Sequence, residues 1–81
     1  MTLTVQLFAR ARDLAGAATQ NVELPTGATV GDLRRALAVA APSLAPLLPR
    51  CAVAVNGDFA EDGRALAATD EVAVLPPVSG G

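Results

Sequence analysis

The residues with the clearest chemical consequence close the chain: Leu75-Pro76-Pro77-Val78-Ser79-Gly80-Gly81. Gly80 and Gly81 carry no β-carbon, so the tip can thread a narrow channel and take conformations closed to other residues. Pro76 and Pro77 forbid a helix or central strand and favour an extended polyproline path. The last group of this arm is the carboxyl of Gly81. Pre-stiffening by the prolines lowers the entropy lost when the arm enters a partner. Val78 and Ser79 offer it one apolar contact and one hydrogen bond. A frayed terminus is the competing reading, and the elements upstream weigh against it.

Composition removes most other chemistry. The 81 residues include no histidine and one cysteine, so disulfide frameworks and Cys/His metal sites are excluded. Histidine-based acid–base catalysis and a Ser/His/Asp triad fall with them. All six cations are arginines, Arg10, Arg12, Arg34, Arg35, Arg50 and Arg64, which rules out a Schiff-base lysine. If the protein becomes an activated acyl donor, it carries no lysine to attack itself. A net charge of −2 argues against a nucleic-acid or anionic-membrane surface. No apolar run approaches a membrane span, and the first residues read as a strand rather than a leader, so a cytoplasmic protein is expected. At 52% hydrophobic and 17% charged, the chain has the composition of one small globular domain.

The elements that must position the arm emerge from periodicity. Thr2 to Ala9 alternates with period two, placing Leu3, Val5 and Leu7 on one face and Thr4, Gln6 and Phe8 on the other. Arg10 to Gly16 predicts a short helical turn closed by glycine. Thr19 to Leu24 predicts a second strand, ended by the turn Pro25-Thr26-Gly27. The main helix begins at Thr29, an N-cap with Asp32 three residues on, and carries Val30, Leu33, Leu37 and Ala40 or Ala41 on its apolar stripe. Arg34 and Arg35 are expected to face water, and Pro42 stops the helix. Three prolines make 42–49 an irregular connector with one helical turn. Cys51 to Ala60 is a hairpin turning at Asn56-Gly57, and Glu71 onward is a final strand with Val72 and Val74 on one face.

One amphipathic helix must bury its stripe against one face of a mixed sheet. Pairing the first and last strands in parallel at the sheet centre gives an α+β, β-grasp (ubiquitin-like) arrangement. Residues 1–75 then form the domain and 76–81 a projecting, flexible Gly-Gly tail. "LFARARDLAG", "AVAVNGDF" and "TDEVAVLPPVSGG", together with the chain length, resemble the small subunits of molybdopterin synthase, a family of ubiquitin-like sulfur carriers. The resemblance spans essentially the whole chain and is loosest between Pro42 and Arg50. It implies a sulfur carrier of molybdenum cofactor biosynthesis with no stably bound cofactor and no catalytic groups of its own. It further implies that an adenylyltransferase of the ubiquitin-activating type uses ATP to adenylate the Gly81 carboxylate, and that a sulfur-donor enzyme converts the adenylate to a thiocarboxylate. By the same resemblance, the sulfur is expected to pass to precursor Z in the large subunit of a heterotetramer, building the dithiolene. A thiamine-pathway carrier, a ubiquitin-like modifier of target lysines and a β-grasp interaction domain with an inert tail are the alternatives.

Two further sets of residues are candidates for partner contact. Phe8 and Leu75 fall out of phase with the buried faces of their strands and Phe59 lies just past the hairpin turn; if all three point away from the helix, they form an apolar patch on the open side of the sheet. Such patches mark partner surfaces, and the resemblance implies the same use. Cover of Phe8 by the 10–16 segment is the alternative. The resemblance also assigns a partner contact to Arg12, where a solvated charge beside Asp13 is the default. Cys51 reads as a small buried hydrophobe rather than a persulfide carrier. Glu61, Asp62, Asp70 and Glu71 read as turn residues.

Overall fold

The computed structural model describes residues 1–77, so Val78, Ser79, Gly80 and Gly81 lie outside the described residues. The elements are β1 (Thr2–Leu7), α1 (Ala9–Ala15), β2 (Thr19–Glu23), α2 (Val30–Ala40), β3 (Ala52–Val55), β4 (Asp58–Ala60) and β5 (Val72–Leu75). They build one five-stranded sheet in the order β2-β1-β5-β3-β4. β1 and β5 are parallel, with Val5 opposite Val72 and Leu7 opposite Val74. All other pairs are antiparallel. This is the expected β-grasp sheet, and β5, from which the C-terminal arm departs, is its middle strand.

Alternation in the strands decides which face is covered. Leu3, Val5, Leu7, Val53, Val55, Val72 and Val74 are each at most 2% exposed and point to the same side. There they meet Val30, Leu33 and Leu37 of α2, none of which retains any exposure. Ala41, not Ala40, completes the apolar stripe. Fully burying one such aliphatic side chain contributes about 1.5–3 kcal/mol before conformational entropy is subtracted. The helix start is satisfied on every side. Thr29 Oγ accepts from the Asp32 amide, and the Asp32 carboxylate accepts from the Thr29 amide at 2.9 Å. The next two amides, of Val30 and Gly31, donate to the carbonyls of Arg64 and Asp62 at 3.0 and 2.9 Å. The 61–66 segment thus takes up donors that a helix N-terminus leaves orphaned. A β-carbon at Gly31 would sit 3.4 Å from Asp62, an ordinary van der Waals contact, so the approach does not depend on glycine.

Several expectations need correction. β1 ends at Leu7 instead of running to Ala9, because Ala9 turns the chain with φ = 50° and starts α1. Gly16 then closes α1 in the left-handed region, as expected. The proline-rich connector holds two 3₁₀ turns, Pro42–Leu44 and Leu48–Arg50, where one helical turn was expected. They bury Leu44 and Leu48 while prolines occupy positions whose amides need no partner. Arg34 does not face water. Its guanidinium donates to the carbonyls of Leu48 and Cys51 at 2.6 and 2.7 Å and to Asp62 at 2.8 Å. Only Arg35 lies on the solvent side, paired with Asp32. Periodicity places Arg34 next to the apolar stripe but carries no sign of the carbonyls that the connector brings over it.

Candidate functional site: the root of the C-terminal arm

The site is built where β5 ends. Val74 is fully buried and anchors the strand, Leu75 and Pro76 are half-buried, and Pro77 is exposed, so the chain emerges from the sheet over three residues. Ala52 of β3 pairs with Leu75, which fixes the point of departure. On the far side of the sheet the start of β5 is equally fixed. The Asn56 and Glu71 backbones and the Asn56 side chain exchange hydrogen bonds of 2.8 and 2.9 Å across the hairpin turn. Asn56 and Gly57 take φ values of 52° and 85°, as a two-residue hairpin turn requires. Asp70 is held by the Ala67 amide, the Asn56 side chain and Arg64, at 2.8, 2.9 and 3.3 Å. The Ala67 amide foremost, then Asn56 and Arg64, hold its carboxyl below the usual carboxylate value. Pro76 and Pro77 therefore leave a strand tied at both ends.

On the open face of the sheet, register aligns Gln6, Ala73, Ala54 and Phe59 across β1, β5, β3 and β4. Phe59 is 79% exposed and Phe8 44% exposed. Phe8 lines a depression of about 200 Å³ with Gln6, Ala54, Gly57, Glu71, Val72 and Ala73. Leu75 shares the face of Ala73 on β5. The structure thus brings Phe8, Phe59 and Leu75 to one side of the sheet, away from α2. The alanines between them, Ala54 and Ala73, keep the surface low and apolar. They had no individual signal in the sequence, because only the register reveals that they are neighbours.

Arg12 does not join this face. It lines a separate shallow depression with Asp13, Gly16, Ala17 and Ala18. Pro76 and Pro77 instead border a larger groove of about 720 Å³ with Arg10, Leu14, Ser43, Pro46, Leu47 and Arg50. Its walls are joined by the Ser43 hydroxyl, which donates to the Leu14 carbonyl at 3.0 Å. Sequence reasoning missed this groove, since its walls come from α1 and the connector, more than 25 residues apart. Cys51 lies just before β3 at 4% exposure, and burial pushes its thiol up against the weaker opposing effect of Arg34. That is the environment of a packing residue rather than an activated thiolate. Among the described residues no group of His, Cys, Asp or Glu side chains could hold a metal ion, and no helix is long and apolar enough to cross a membrane.

Comparison with known proteins agrees with this architecture. The sequence model of the ThiS family matches residues 5–81. A molybdopterin synthase sulfur carrier subunit from Chlamydomonas reinhardtii is 39% identical over the whole of both chains. Small archaeal modifier protein 1 of Haloferax volcanii is 42% identical, covering 94% of this chain and 97% of its own. The crystal structure of SAMP1 from the same organism superposes with a TM-score of 0.89 at 38% identity and covers both chains fully.

Proposed function

The chain belongs to the ThiS family, and from that membership we propose that it is the sulfur carrier of a molybdopterin synthase. The observation that carries the reading is the arm: a middle strand delivers Pro76 and Pro77 to the edge of the sheet, and Gly80-Gly81 follow close behind. Similarity to carrier subunits from Chlamydomonas, over the whole of both chains, and from Arabidopsis thaliana, over 98% of this chain and 82% of that protein, supports the pathway.

In this reading the Gly81 carboxylate attacks the α-phosphate of ATP on an adenylating enzyme, and pyrophosphate leaves. A sulfur donor then displaces AMP from the acyl adenylate, forming a thiocarboxylate. Inside the large subunit, with which the chain forms a heterotetramer in the cytoplasm, the sulfur passes to precursor Z. Phe8, Phe59 and Leu75 dock the partner surface, Arg12 contacts it from α1, and Pro76, Pro77, Val78 and Ser79 line the arm's path to the catalytic groups of the large subunit. The carrier contributes the reactive carboxyl, and catalysis belongs to the complex.

Deletion of Gly81 tests this. Sulfur transfer in a reconstituted system with the adenylating enzyme and the large subunit should disappear, while unfolding in urea stays the same. Full transfer by the shortened chain would overturn the reading. A second reading, a ubiquitin-like modifier joined to target lysines through Gly81, is favoured by the 42% identity to small archaeal modifier protein 1. Conjugates of this chain with cellular proteins, seen as intact masses that depend on Gly81, would establish it. The absence of lysine already forbids lysine-linked chains of the protein with itself.

A further inference from the structure

The groove at the root of the arm has a charge pattern that sulfur chemistry at Gly81 leaves unused. β1 and β5 run in parallel, and Ala52 at the start of β3 lies opposite Leu75 at the end of β5. One end of the sheet therefore collects the segments that leave β1 and β5 and the segment that enters β3. Arg10, Arg50 and the two prolines belong to those segments. The other end collects four acids. Glu23 pairs with Thr2 at the start of β1. Asp58 pairs with Val55, whose other neighbour is Val72, and Asp70 and Glu71 lead into β5. The molecule carries a net negative charge, yet its arm emerges from the positive end.

The arginines are divided in the same way. Arg34, Arg35 and Arg64 are paired with Asp62, Asp32 and Asp70. Among the described residues, Arg10, Arg12 and Arg50 pair with no acid; Arg12 lines the separate depression with Asp13, whereas Arg10 and Arg50 share a groove that no acidic side chain lines. Between them the surface is apolar, formed by the exposed Leu14 and Pro46 and the half-buried Leu47. Two unpaired guanidinium groups around an apolar floor are complementary to carboxylates separated by an apolar side chain. Guanidinium is suited to such contacts because it presents a planar fork of donors to a carboxylate.

We propose that this groove docks an acidic segment of a protein partner, with carboxylates on Arg10 and Arg50 and an apolar residue seated on Leu14 and Leu47. The existence of a partner rests on the carrier reading, but the chemistry of the groove does not. Contact here, at the base of the arm, is separate from the apolar sheet face and fixes the direction in which the arm leaves.

The test is a titration of the full-length, nitrogen-15-labelled chain with the capped peptide acetyl-Glu-Leu-Glu-Val-Glu-amide, monitored by amide chemical shifts. Saturable shifts at Arg10, Leu14, Ser43, Leu47 and Arg50 are expected. Exposed charge pairs are modest and screened, so binding should weaken at least about threefold in the Arg10→Gln/Arg50→Gln variant and between about 0.05 and about 0.5 M NaCl. Both side chains are exposed and unpaired among the described residues, and a dispersed spectrum of the variant checks its fold. Absence of shifts, equal binding of the glutamine counterpart, or undiminished binding by the variant would overturn the proposal. Displacement of the peptide by inorganic phosphate with the same pattern of shifts would make the groove a free-anion site and also overturn it. A chain that binds the peptide but accepts no sulfur would lose the carrier reading alone. A silent groove on a competent carrier would lose this proposal alone.

Discussion

Replacing Arg34 by methionine should be among the most damaging single changes to a charged residue in this protein. Its guanidinium spans from α2 to the second 3₁₀ turn, donating to the Leu48 and Cys51 carbonyls at 2.6 and 2.7 Å. Methionine keeps the apolar stem and removes every donor. A hydrogen bond to a charged group is worth about 1.5–3 kcal/mol; without the donor the Leu48 carbonyl keeps the Cys51 amide at 3.0 Å, while the Cys51 carbonyl loses its Arg34 partner. The side chain is 20% exposed, so water reaches part of the site and the lower end applies. Two bonds then give a loss of about 3 kcal/mol. The Asp62 partner is 64% exposed, so its ion pair adds less than about 1 kcal/mol. A loss of about 3 kcal/mol lowers the Tm of a domain this size by roughly 12–24 °C. The assay is urea and thermal unfolding by far-ultraviolet circular dichroism, because the chain has neither tryptophan nor tyrosine to report by fluorescence. Asp62→Asn, measured alongside, should cost less than about 1 kcal/mol. A change below about 1 kcal/mol for Arg34→Met, or an equal loss in Asp62→Asn, would show that the carbonyl bonds do not brace the connector.

Other perturbations separate folding from docking. Thr29→Ala removes the capping oxygen of α2 and should cost about 1 kcal/mol in urea unfolding. Ala9→Gly should raise stability by about 1 kcal/mol by relieving a φ of 50°, a gain that unfolding midpoints resolve. Phe59→Ser should leave stability within about 0.5 kcal/mol of the parent, since the ring is 79% exposed. The same change should weaken binding to the large subunit roughly tenfold or more by calorimetry. Asp70 has a depressed carboxyl in the folded state, so its stabilising contribution is complete above the unfolded value and fades as pH falls through the lower folded value. Asp70→Asn should therefore flatten the decline in unfolding midpoint below about pH 4.

The sheet was legible because β1, β3 and β5 are short and alternate, and because Asn56-Gly57 favours a two-residue hairpin turn, whereas β2 alternates only weakly. The α2 start was legible because Thr29 and Asp32 sit at capping distance. Arg34 was not, since periodicity describes a helix face but not what a distant connector lays over it. The packing role of Cys51 is visible in its phase with Val53 and Val55. The site divides along the same line. Parity separates Phe8 and Leu75 from the buried faces of their strands, and the observed register adds Phe59 to the same side. The groove of Arg10 and Arg50 depends on α1 and two 3₁₀ turns converging, and no local pattern encodes that convergence. Arg12 shares α1 with Arg10 but faces a different depression, a distinction invisible at a spacing of two residues.

The central claim concerns one carboxyl group. The most direct measurement is a mass spectrum of the C-terminal peptide after incubation with ATP, the cognate adenylating enzyme and a sulfur source. The peptide is preferred to the intact chain because oxidation of Met1 or Cys51 nearly mimics exchange of oxygen for sulfur. Sulfur in place of one carboxyl oxygen at Gly81 is the expected result. A Gly81 that stays a carboxylate, while a control carrier is converted by the same enzyme, would contradict it.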